Sequence, residues 1–141
     1  MVEMQADRNK LIEVIREVGP DSKGVPVADF LAAEQTHFEA THQDFGAGLC
    51  EKWKFPKTFA NVTGFHHRPL EVAEENRTLV AIVHVADRIA ADTGMGFRLD
   101  LMNTNVGADV LDFLKLSTEK LSEVRAQLIA QSKELCNVLG A

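Results

Sequence analysis

Proline cuts this chain into lengths that suit helices. Gly19-Pro20, Phe55-Pro56 and Pro69 each interrupt a stretch whose apolar residues recur at helical spacing. Proline lacks a backbone N–H and disfavours helix in the residue before it, so these points are boundaries. Upstream of the first, Leu11, Ile12, Ile15 and Val18 share one face of a helix over 8–18. Residues 20–26 (PDSKGVP) read as a turn-rich connector. A short helix over 27–36 follows, with Val27, Phe30 and Leu31 on one side. Glu34 reads there as a solvated helix acid, a buried and paired carboxylate being the alternative. Phe45, Leu49 and Trp53 form an i, i+4, i+8 stripe on a helix over 41–54. The helix over 56–67, with Pro56 as its first residue, buries Phe59, Val62 and either Phe65 or His66. The strongest pattern spans 78–92, where Leu79, Ile82, Val83, Ala86, Ile89 and Ala90 mark an inward stripe. A short helix over 108–114 precedes the last one, which Ser117 or Thr118 can cap. Its inward stripe is Leu121, Val124, Leu128, Leu135 and Leu139, and Gly140 can end it. The glycine-bearing stretch 93–105 connects the two regions. No run alternates apolar and polar residues as a strand requires. The expectation is one all-α domain over 1–141, with Trp53 buried among Phe45, Leu49 and the helix over 78–92.

Composition narrows the functional classes. The 141 residues are 45% hydrophobic and 26% charged, with a formal net charge of −6 and a pI near 5.3. An acidic balance of this kind argues against a broad nucleic-acid footprint. No apolar run approaches the roughly 20 residues of a membrane span, and the N-terminus (MVEMQADRNK) lacks an apolar signal region. The 2 cysteines, Cys50 and Cys136, are far apart and read as reduced thiols. The chain reads as cytoplasmic.

The histidines are the chemistry-bearing feature. All 5 lie between His37 and His84, and His42, His66, His67 and His84 fall in the stretch that ends at Asp87. Histidine and carboxylate are ligands for divalent transition metals such as zinc, manganese, iron or nickel. The spacing is too wide for a single-helix motif such as H-E-x-x-H, so a shared site needs three helices. Consecutive helical residues diverge by about 100°, so His66 and His67 face one metal together only if the frayed last turn reorients one. Asp87 lies at the edge of the apolar stripe of 78–92, where a carboxylate is costly without a cation or donors. His84 lies further round, towards the polar side. Glycine inside a helix costs about 1 kcal/mol relative to alanine, so Gly46 and Gly48 point to a closely approaching helix or bound group.

The order H-x-x-x-G-x-x-L-x-x-x-W-x-x-P (His42, Gly46, Leu49, Trp53, Pro56), then His66-His67-x-Pro69, then His84-Val85-Ala86-Asp87, resembles the HDOD domain. That family is an offshoot of the HD superfamily of metal-dependent phosphohydrolases. The resemblance covers about residues 30–92 and implies an HD-like helical bundle. It maps the superfamily's last metal-binding aspartate onto Asp87, and later histidines onto His42 and His66 or His67. The family's first histidine and adjacent His-Asp pair have no counterpart here, and the helices carrying them would precede Met1. The resemblance therefore implies the C-terminal part of an HDOD domain, lacking the N-terminal helices. Its metal site would be incomplete, with no catalytic residue assigned and either no cofactor or one divalent transition metal. The expected function is a signalling-associated regulatory module that binds a protein partner or another copy of itself. Uncovered core surface would favour such association. The alternative is a metal-dependent phosphohydrolase in which Arg68 contacts phosphate.

Overall fold

A computed structural model describes residues 8–93 and 98–139. Among these residues there are seven α-helices and no strand; a single bridge joins Pro20 to Pro26. Gly94, Gly96, Gly140 and the side chain of Leu139 lie outside the described residues.

Helix α1 (Arg8–Val18) buries Val14 and Val18, while Ile15 turns outward. The loop after it is closed by Asp21, whose carboxylate accepts from the N–H groups of Lys23 and Val25. Gly24 supplies the positive φ of 78° that this turn requires. The chain bends at Val27, which is exposed, and helix α2 (Phe30–Phe38) begins three residues later than expected. The start is set by Asp29, whose side chain accepts from Ala32 N–H at 2.9 Å. Val14, Val18, Phe30 and Ala33 form one cluster, against which Phe38 and Leu99 pack.

Helices α3 (His42–Lys52) and α4 (Lys57–Phe65) form a tight antiparallel hairpin. Thr41 and Asp44 make a reciprocal capping box that fixes the first turn of α3. The connecting turn places Lys54 at φ 56°, and Phe55 N–H donates to the Cys50 carbonyl. Pro56 is the cap of α4 and not its first residue. A Cβ on Gly46 would meet Thr63 Cβ at 3.2 Å, and one on Gly64 would meet Ala47 Cβ at 3.4 Å. These glycines let the two helices approach closely, which carries the start of α3 to the end of α4. Gly48 faces open space, so its expected close neighbour is absent.

Two 3₁₀ turns (Pro69–Glu71 and Glu74–Asn76) lead into α5 (Arg77–Ala91). Ala81, Val85 and Ile89 of α5 pack with Val110 and Leu111 of α6 (Ala108–Leu114) and Leu121 of α7 (Thr118–Leu139). The buried face of α5 is therefore not the expected one. Val80, Ala81, His84, Val85, Ile89 and Ala91 are inside, whereas Leu79 and Ile82 are 45% and 50% exposed. The helix is apolar most of the way round, so periodicity finds the helix without choosing the side that α6 and α7 cover. Trp53 is likewise 52% exposed. It falls just past the end of α3, where its ring turns to Phe55 at 6.1 Å and does not continue the stripe onto α5. Phe59 is also exposed, because its side of α4 has no covering helix among the described residues. On α7, Leu121 is buried and Leu128 packs on the core, but Val124 and Leu135 are exposed as the helix runs past α6.

Candidate metal centre

The α3–α4 hairpin brings its histidines together at one end. His42 is the first residue of α3, and His66 and His67 follow the last residue of α4. His42 Nε2 lies 3.4 Å from His66 Nε2 and 3.1 Å from His67 Nε2. Both consecutive histidines therefore face the same point. The helix ends at Phe65, and the chain turns through Arg68 at φ −137°, ψ 63°, so the 100° divergence of a regular helix no longer applies. Pro69 ends the helix here, as its position in the sequence implies.

The His42 and His66 rings are oriented from behind. Glu34 Oε2 accepts from His42 Nδ1–H at 2.7 Å and from His42 backbone N–H at 2.9 Å. Glu34 is only 2% exposed, which corrects the reading of it as a solvated acid. Its burial is offset by these two donors. His66 Nδ1–H is shared between the carbonyls of Thr63 (3.0 Å) and Val62 (3.2 Å). With the proton on Nδ1, the neutral ring presents a bare Nε2 lone pair to the shared point. His84 is buried rather than on a polar side, and its Nδ1–H donates to the His66 carbonyl at 2.6 Å. It tethers the turn that carries His66 and His67 to α5.

The carboxylate in the cluster is Asp100, from the connector between α5 and α6. His42, His66, His67 and Asp100 each offer one donor atom, all within 4.8 Å of one another. Asp100 Oδ2 lies 3.5 Å from His67 Nε2. Asp87 is not one of the four; its Oδ2 is buried without a hydrogen-bond partner, near enough for its charge to act on His66, His84, Arg88 and Asp100. Nothing in the periodicity marks Asp100, because it sits in a connector. The signal that could have found it is its flanking leucines, Leu99 and Leu101, which anchor an acid between two apolar contacts.

Burial dominates the electrostatics. It pushes His67 down to about 3, with His66 and His42 adding to the effect. It also lowers His66, with His42 second, and His84, where Arg88 contributes in the same direction. His67 is neutral near pH 7, so its contact with Asp100 is not an ion pair. Burial raises Asp100, and the neighbouring Asp87 carboxylate raises it further. The lowering of His66 and His67 favours the neutral imidazole form that a metal ion requires of its ligands. The two separations from His42 also fit. A tetrahedral ion with metal–nitrogen bonds of about 2.0–2.1 Å sets its nitrogens about 3.3 Å apart, close to the 3.1 and 3.4 Å seen here.

His67 and Arg68 separate two open cavities. One, of about 350 Å³, is bordered by His84, Arg88 and Asn105. The other, of about 440 Å³, is bordered by Gln35, Gln43 and Asp44. Arg68 itself is half exposed, pairs with Glu71 at 3.3 Å and stacks its guanidinium near Phe65.

Residues 10–69 match the family model of the HDOD domain. That match is less than half of the chain and takes in α1 to α4, with His42, His66 and His67. His84, Asp87 and Asp100 lie beyond it. No curated protein and no solved structure matches the chain.

Proposed function

We propose that this chain is an HDOD-type regulatory module that works by protein contact, with a metal-holding histidine cluster that does not turn over substrate. The observation that carries the contact reading is its uncovered apolar face. Trp53, Phe55 and Phe59 form an aromatic row with ring centroids 6.1 and 5.8 Å apart. The row runs towards a groove of about 310 Å³ lined by Thr58, Phe59, Val62, Leu79 and Val83. Contiguous exposed apolar surface of this kind marks interaction sites. Among the described residues no helix is long and apolar enough to cross a membrane. A second copy of the chain is the simplest occupant. Sedimentation at micromolar concentration tests this. The expected result is a dimer that Phe59→Lys converts to monomer. A wild-type chain that stays monomeric, and that captures no partner through this face, sinks the contact reading.

A second reading, a metal-dependent phosphohydrolase, is favoured by Arg68 and Arg88 beside the cluster. His42, His66, His67 and Asp100 would hold the ion. A bound divalent metal supplies Lewis-acid polarisation and a more acidic water. Arg68 and Arg88 would orient an anionic phosphoryl group. Manganese-dependent cleavage of a phosphodiester, lost on His66→Ala, would establish this reading over the first.

A further inference from the structure

We infer that Asp100 is the carboxylate ligand of the metal centre and closes it as a four-donor site. The ion would then clamp together α3, the end of α4 and the α5–α6 connector. The inference deepens the non-catalytic reading of the cluster given above and rests on it.

Placement is the first argument. Asp100 stands between Leu99, which packs on the α1–α2 cluster, and Leu101, which is 3% exposed. Leu101 N–H donates to the Arg98 carbonyl at 3.1 Å, closing a turn around Asp100. The acid is thus held from both sides by apolar anchors and aimed at His67. A carboxylate that needed only solvent would not require this pinning.

The donor set is the second argument. Glu34 and the carbonyls of Val62 and Thr63 take the Nδ1 protons of His42 and His66, leaving Nε2 free. Ligating histidines in metal sites are oriented in this way by outer acceptors. Two facing Nε2 lone pairs repel each other until a cation lies between them. Asp87, with a buried and unpartnered Oδ2, lies close by without joining the set of four donors.

The chemistry of closure is the third argument. Structural metal sites use four protein donors, whereas catalytic ones leave a position for water or substrate. Asp100 occupies the position that an open site would leave free. With an ion that takes four ligands, the same residue would complete the metal site and leave no position for substrate; an ion that takes more ligands would keep one open.

The test uses the full chain, stripped with chelator and loaded with Co²⁺. The wild type should take up one ion and show the intense visible bands of a four-coordinate site. Asp100→Asn should weaken binding by more than Glu34→Gln, for which a loss of about 10- to 100-fold is expected from an orienting residue. Asp87→Asn should keep the stoichiometry and the visible bands. Asp100→Cys gives a gain of signal that does not depend on comparing losses: a thiolate-to-cobalt charge-transfer band absent from the wild type. Circular dichroism confirms that each variant remains helical. If Asp100→Asn binds as tightly as the wild type and Asp100→Cys shows no new band, Asp100 is not a ligand, while the histidine cluster stands. If Asp87→Asn alone abolishes binding, the carboxylate ligand is Asp87. If the folded wild type takes up no metal, the cluster reading falls together with the assignment of Asp100.

Discussion

On α5, Val80, Ala81, Val85 and Ile89 face inward with His84, whereas Leu79, Ile82 and Ala86 face outward. Both faces are apolar, yet only one is part of the core. The inner face meets α6 and α7 and, through His84, the turn of the metal centre. The outer face borders open grooves shared with Thr58, Phe59, Asn61 and Val62 of α4. Apolar residues on a helix thus report that it seeks contact, not which contact its own chain provides. The inner face is used for folding, and the outer face stays exposed at Leu79 and Ile82.

The largest expected effect separates the two faces directly. Ile89→Ala should destabilise the monomer by about 2–5 kcal/mol, because it opens a cavity in a buried cluster. Ile82→Ala should stay within about 0.5 kcal/mol, as an exposed substitution does. Urea denaturation of a monomeric background measures both, and equal losses would show that the outer face is covered. Trp53→Ala comes next. Trp53 is half exposed, so the loss should be about 1 kcal/mol, well below the roughly 3–5 kcal/mol of a buried tryptophan. A loss at the upper figure, growing with protein concentration, would show that a second copy buries the ring. The smallest effect should be a gain. Gly48 lies in the interior of α3 with no atom near the space a Cβ would take. Gly48→Ala should raise stability by about 0.5–1 kcal/mol through helix propensity. Gly46→Ala should fall short of that gain, since Thr63 must move aside. Matching midpoints for the two variants would mean that the hairpin packs less closely than the distances indicate.

Much of the architecture was legible before any coordinates. Prolines and glycines punctuate the chain where helices end, and helical periodicity survives in every long segment. Most helix bounds fall within a residue or two of expectation. The histidines were legible as a group because their side chains have few uses other than ligation, catalysis or hydrogen bonding. What the sequence hid has a common cause. Glu34, His84 and Asp100 acquire their roles from partners distant in sequence: His42 eight residues on, the His66 carbonyl, and His67. A helical wheel orders residues around one axis and contains no second axis. It therefore assigned Glu34 and His84 to water and could say nothing about a residue in a connector. Trp53 failed for a local reason, because the stripe was extended one residue past the end of α3.

The hydrogen bond from His84 to the His66 carbonyl gives α5 the character of a lever. One side of this helix holds the backbone that carries the His66 and His67 imidazoles, and the opposite side exposes Leu79 and Ile82. Any occupant that prefers one setting of α5 shifts the balance of settings available to the imidazoles. If the cluster held an ion as proposed, thermodynamic reciprocity would require that ion to change the occupant's affinity by the same factor.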